Sequence, residues 1–164
     1  MYHLRISKYN TKDRNEQGHY LKDDWTSISD IGKIYNGVLL TPESYYEVES
    51  SYINVLREAS NLLKVDSYKL VDLDINDLNN SDLDFDIREG MNLTLEQCDR
   101  ISRLILREKL WARLISSHLE VNFGYDFYMY MSTNFKRDEL KILVNKYNLF
   151  WEEGKSPYFG IENN

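Results

Sequence analysis

"WARLISSHLEVNFGYDFYMYMS", residues 111–132, decides the fold class. Residues 111 to 122 and 125 to 132 read as two strands: apolar and aromatic side chains dominate, and Gly124 marks a tight turn. Strands that follow one another without an intervening helix pair antiparallel, because parallel neighbours need a long crossover. On the N-terminal side, Thr94 and Gln97 form a capping-box pattern, with Leu93 and Cys98 placed as a hydrophobic staple. A helix then runs from 95 to about 109 and buries Cys98, Ile101, Leu104 and Ile105. On the C-terminal side, Thr133 or Asn134 caps a helix over 135–147, with Leu140, Leu143, Val144 and Tyr147 inward. "LFWEE" adds a last edge strand.

Further out, residues 2 to 9 alternate as a strand, and 10 to 24 are a polar loop containing Gly18. "WTSISDIGKIYNG", 25–37, holds a short helix ending at Gly37. Thr41 followed by Pro42 is a strong helix start. Tyr45, Val48, Tyr52, Leu56, Ala59 and Leu63 make one apolar stripe over a helix 42–64, and 67–75 alternates as a strand. The order β-α-β-α-β-β-α-β predicts a single α+β domain over 1–164, with helices packed on a mainly antiparallel sheet.

Composition limits the function. Of 164 residues 42% are hydrophobic, enough for a core, and thirteen are Tyr. The net charge of −7 argues against nucleic acid as partner and for a basic protein or a cation. Cys98 is the one cysteine, so no internal disulfide forms, and a reducing compartment fits. The N-terminus lacks a secretory pattern, and no apolar run reaches the length of a membrane span, so a cytoplasmic location is expected.

The acidic charge is local. "VDLDINDLNNSDLDFDIRE", 71–89, holds Asp72, Asp74, Asp77, Asp82, Asp84, Asp86 and Glu89 against Arg88 alone, −6 of the −7. A calcium loop begun at Asp72 puts Asp77 where Gly is needed and Leu83 where the bidentate Glu belongs. Begun at Asp82, those places hold Ile87 and Leu93. No metal is therefore expected. "GKS", 154–156, lacks the first glycine of a phosphate loop, since residue 149 is Leu, and Pro157 stops the helix that should follow. His3, His19 and His118 have no ligand spacing, and Cys98 reads as a core thiol rather than a nucleophile. No cofactor and no catalytic residue is expected.

Leu70 to Ile75 and Asp82 to Ile87 both alternate, so each can bury an apolar face and turn its acids outward. Residues 70–92 are thus expected to be an acidic loop or hairpin. The plain reading is a solvated face that opposes edge aggregation. The functional reading is a negative patch that docks on a basic surface. In 122–131, Asn122, Asp126, Tyr128 and Tyr130 share one strand face and Phe123, Tyr125, Phe127, Met129 and Met131 the other. The Tyr face is either covered by a helix or exposed as a contact platform.

"YLKDDW" (20–25), "WTSISDIG" (25–32), "FGYDFYMYM" (123–131) and "SPY" (156–158) resemble segments of small bacterial immunity proteins, the antidotes of polymorphic and contact-dependent growth inhibition toxins. The resemblance implies a non-enzymatic protein that binds one cognate toxin domain, in many cases a basic nuclease, and occludes its active site or substrate surface. It carries over no site residues. The charge and aromatic readings supply them: Asp72, Asp74, Asp77, Asp82, Asp84, Asp86 and Glu89 as the docking surface, with Asp126, Tyr128 and Tyr130 as a second contact. The alternative is a small enzyme or ligand-binding domain with carboxylates clustered in a cleft.

Overall fold

The region that decides the fold class contains one strand more than expected. In the computed structural model, which describes residues 1–135 and 137–160, the elements in chain order are β1 (Tyr2–Ser7), β2 (Ile34–Tyr35), β3 (Val38–Leu39), α1 (Pro42–Leu62), β4 (Ser67–Ile75), β5 (Asn92–Thr94), α2 (Leu95–Leu106), β6 (Leu110–Ile115), β7 (Glu120–Phe123), β8 (Met129–Thr133), α3 (Arg137–Lys146) and β9 (Phe150–Glu153). Seven strands form one antiparallel sheet in the order β5-β4-β6-β7-β8-β1-β9, and β2 and β3 form a separate small hairpin. With the helices packed on the sheet this is a single α+β domain. No described helix is long and apolar enough to cross a membrane.

The register separates the faces. Leu4, Met131, Val121 and Leu114 lie in one cross-strand row and are all but fully buried. They meet Tyr52, Ile53, Leu56, Ile101 and Val144 of the helices in one core. The opposite row, His3, Ser132 and Glu120, is polar. The chain after β9 returns across that face: Tyr158 packs on Trp111 with ring centroids 4.9 Å apart, and Phe159 on His3 at 4.8 Å.

The tyrosine content has a structural use. Tyr45, Tyr52 and Tyr68 have no exposed surface, yet their hydroxyls are satisfied. Tyr52 donates to the Phe127 carbonyl at 2.7 Å and accepts from the Lys8 amide at 2.7 Å, which ties α1 to two loops. Such a side chain supplies apolar area and one directed bond.

Several local expectations are corrected. The stretch 111–122 is not continuous, because Ser116 turns the chain: its hydroxyl donates to the Leu119 carbonyl and accepts from the His118 and Leu119 amides. The strand expected from 125 begins only at Met129. Asp126 and Phe127 both have positive φ (57° and 63°), the mark of a type I′ turn. Tyr125 is therefore 84% exposed instead of facing the core, while Phe127 stays buried. The only helical turn in residues 25–37 is the 3-10 turn Ile28–Asp30, followed by β2, and the helix expected to reach 109 ends at Leu106.

The second acidic run, 82–87, forms no strand, so no acidic hairpin exists. Strand β4 offers it no regular edge: past Leu70 the chain bulges, and the Asp72 and Leu73 amides are taken by the Glu89 carboxylate. One edge pairs with β6. The other pairs with β5 at 67–69 and then exchanges backbone bonds with Gly90 and Met91. The alternation of Val71, Leu73 and Ile75 also breaks, at a bulge where Asp72 (φ 57°) is the extra residue. Leu83, Phe85 and Ile87 still pack partly against the core, so the period marked burial without marking a strand.

Candidate functional site

The acids of the 71–89 stretch have separate fates. Asp72 pairs with Arg113, Asp84 with Arg100, and Asp82 with Lys109 at 2.9 Å. The Lys109 ammonium holds the Asp82 carboxyl below its ordinary range. Glu89 accepts from the Asp72 and Leu73 amides at 3.2 and 2.8 Å and so caps the bulge. The carboxylates of Asp74, Asp77 and Asp86 make no hydrogen bond or ion pair with the described residues, and all three residues are exposed. Half of the expected docking surface is therefore spent on the fold.

The second expected contact also changes. Tyr128 is partly buried: its hydroxyl accepts from Arg14 Nη2 at 2.9 Å, and the Arg5 guanidinium lies 5.0 Å from its ring centre. Tyr130 packs over Gly124, where a Cβ would sit 3.0 Å from the Tyr130 ring. These two rings are occupied by the protein's own arginines and backbone. The ring offered to solvent is Tyr125, which strand alternation had assigned to the core.

Two of the expected residues, Asp74 and Asp126, meet at one place. A cleft of about 460 Å³ is lined by the end of β4 (Asp74, Asn76), the α2–β6 turn, the β7–β8 turn and Tyr158 of the returning chain. Its walls are Trp111, Phe123, Phe127 and Tyr158, and Tyr125 stands at the rim. Its ionisable carboxylates are Asp74, Glu108 and Asp126, all exposed, and among the described residues no Lys, Arg or His lines it.

Local backbone chemistry sets those positions. Helix α2 ends with Lys109 donating to the Leu104 carbonyl and Glu108 to the Ile105 carbonyl, which leaves Glu108 left-handed at φ 61°. Glycine usually takes this place, because a Cβ there is strained. Glu108 Oε2 accepts from Ser27 Oγ at 3.0 Å, and its carbonyl accepts from Asn76 Nδ2 at 3.0 Å. Asp126 is held through its carbonyl by the Tyr9 hydroxyl at 2.8 Å. Trp111 is fixed by Nε1 donating to the Phe123 carbonyl at 2.8 Å. Both carboxylates thus stand on strained but bonded turns, a feature of functional sites.

Charge counting did not find Glu108, which lies outside the acidic stretch. Its sole sequence signal is a helix end with no glycine. Elsewhere, His3 Nδ1 lies 2.8 Å from Ser132 Oγ, but Ser132 is buried and outside the cleft, so the pair is read as structural. Burial pushes the Cys98 thiol up to about 12, which keeps it un-ionised. Among the described residues no cluster of three or more His, Cys, Asp or Glu is placed to hold a metal ion. No family model, curated protein or solved structure matches the chain.

Proposed function

We propose that the chain is a cytoplasmic immunity protein: a non-enzymatic inhibitor that binds a cognate toxin domain with a basic surface and occludes its active site or substrate path. The observation that carries this reading is the cleft, whose ionisable lining is three exposed carboxylates without a base and whose rim bears a nearly fully exposed Tyr125. An aromatic anchor beside acids is the composition of a contact hot spot for a basic partner. A nuclease fits that partner, because its substrate-binding surface must be basic. Asp77 and Asp86 would add long-range steering outside the contact.

The alternative is a small-ligand or catalytic site, and the cleft's volume falls within the range of such sites. General acids, however, are usually raised into function by burial, and all three carboxylates are exposed. The deciding experiment is a pull-down and calorimetric titration against the product of the adjacent upstream gene, at two salt concentrations. Tight binding that weakens with salt supports the inhibitor. Absence of binding removes it and turns attention to small ligands of the cleft.

A further inference from the structure

Building on the cleft as the docking site, we propose that it receives one arginine side chain of the partner, with the guanidinium against Trp111, Tyr158 and Tyr125 and paired to Asp74 and Asp126. Three observations converge on that chemistry.

Charge comes first. Among the described residues the Asp74 and Asp126 carboxylates have no partner, and no Lys, Arg or His lines the cleft. The occupant must then be a cation, since an anion or a purely apolar group would leave the acids uncompensated.

Second, the protein already satisfies its other tryptophans with cations of its own. Lys8 Nζ lies 4.1 Å from the Trp25 ring centre, and Lys141 Nζ lies 4.1 Å from that of Trp151. Tyr2, Tyr9, Tyr20, Tyr46, Tyr128 and Tyr147 each have a lysine or arginine over the ring as well. Among the described residues no cation lies over Trp111, Tyr125 or Tyr158, the rings that face the cleft. A tryptophan face is the strongest of the aromatic cation sites, and Trp111, half-buried and packed on Tyr158, carries no cation of the described residues.

Third, two carboxylates on different elements line the cleft, Asp74 at the end of β4 and Asp126 in the β7–β8 turn, and a fork of donors can serve two carboxylates with directed bonds as one point charge does not. Guanidinium is planar, stacks on rings, sheds water more easily than ammonium and presents five donors. Arginine meets all three conditions, whereas lysine meets the charge and ring conditions but presents no planar fork of donors.

The test uses the isolated full chain, with the blocked amino acid Nα-acetyl-arginine-N-methylamide as probe and the corresponding lysine and citrulline derivatives beside it. Isotope-labelled protein is titrated, and the amides of Gly124 and Tyr125 and the indole N–H of Trp111 are followed. The arginine probe is expected to give saturable shifts there, with affinity at least about tenfold above citrulline and about threefold above lysine. Asp74→Asn with Asp126→Asn should weaken the arginine probe about tenfold, and Glu47→Gln, exposed on α1 and outside the cleft, should leave it unchanged. Equal responses to arginine and its neutral isostere citrulline, or no saturable shift, would overturn the proposal without recourse to any variant. Loss of the arginine response alongside salt-sensitive toxin binding would remove the receptor and keep the inhibitor. Arginine binding without toxin binding would do the reverse.

Discussion

Lys8 shows what one side chain can cost and how that cost can be read. Its side chain is 6% exposed, its ammonium lies between the Tyr9 and Trp25 rings, and Asp24 pairs with it at 2.8 Å. Burial pulls its pKa down to about 8, against the opposing pull of Asp24. In the unfolded chain the same amine titrates near its ordinary value of 10.5. Below pH 8 both states are charged and the full penalty of burial is present. Between 8 and 10.5 the folded state releases its proton first, so the unfolded state binds more protons and stability rises with pH. The buried tyrosines oppose this above about 10, because they ionise only on unfolding. Urea unfolding at stepped pH should therefore show stability climbing from 8 to 10. Lys8→Met should flatten that climb and leave stability at pH 7 within about 1 kcal/mol of the parent, because Asp24 is exposed enough to be solvated by water. A loss of 3 kcal/mol or more at pH 7, roughly the cost of breaking a buried pair, would show that the pair stabilises the fold after all.

At the scale of elements, starts were legible and ends were not. Thr41 with Pro42 and Thr94 with Gln97 are local chemistry, and both cap α1 and α2 as read. The ends carry no glycine. Lys64, Glu108 and Asn148 take the left-handed position after α1, α2 and α3, with φ between 55° and 61°. A helix end without its usual residue runs on in any reading of the pattern, which is why α2 was extended to 109. The 82–87 run differs for another reason: alternation reports a half-buried segment, whereas a strand also needs a regular edge to pair with, and only the assembled sheet shows that β4 bulges at Asp72 and gives its amides there to Glu89. The non-glycine ends give a paired prediction. Lys64→Gly and Glu108→Gly should each stabilise the protein by about 0.5–1 kcal/mol, as left-handed strain is relieved. Only Glu108→Gly should weaken partner binding, since Glu108 alone of the two lines the cleft. Matched thermal melts and titrations separate the two effects, and equal binding by both variants would take Glu108 out of the contact. The bulge in β4 is checked through exchange. Glu89→Ala should speed hydrogen exchange at Asp72 and Leu73, because its carboxylate is their acceptor. The join between helices is stiffer. Glu49 is fully buried between Arg103 and Arg107 at 2.7 Å from each, and because both guanidinium groups keep contact with water, Glu49→Ala should cost about 1.5–3 kcal/mol through the lost charged hydrogen bonds.

Across the whole molecule, the net charge of −7 describes the partner less well than its distribution does. Arg100 of α2, Lys109 of the α2–β6 turn and Arg113 of β6 lie along the acidic stretch and neutralise Asp84, Asp82 and Asp72, pairs separated by 16, 27 and 41 residues in sequence. No local reading of 71–89 could have found those partners, and for that reason seven acids looked like one surface. The fold leaves a smaller set, Asp74 and Asp126 with Glu108, gathered from the end of β4 and two turns onto one cleft. The two sets should respond differently to the same neutralisation. Asp82→Asn with Asp84→Asn removes two pairs near the surface, so stability should fall by about 1 kcal/mol or less, and partner affinity should change by no more than about threefold. Asp74→Asn with Asp126→Asn should leave stability nearly unchanged, since neither carboxylate has a partner in the fold and Asn tolerates the left-handed backbone at 126. Its effect belongs to the complex: affinity should drop at least about tenfold at low salt, and the slope of affinity against salt should flatten, because the charges that attract the partner are gone. If the Asp82 and Asp84 pair proved the costlier for binding, the docking surface would return to the acidic loop, and the cleft would be left to a ligand other than the toxin.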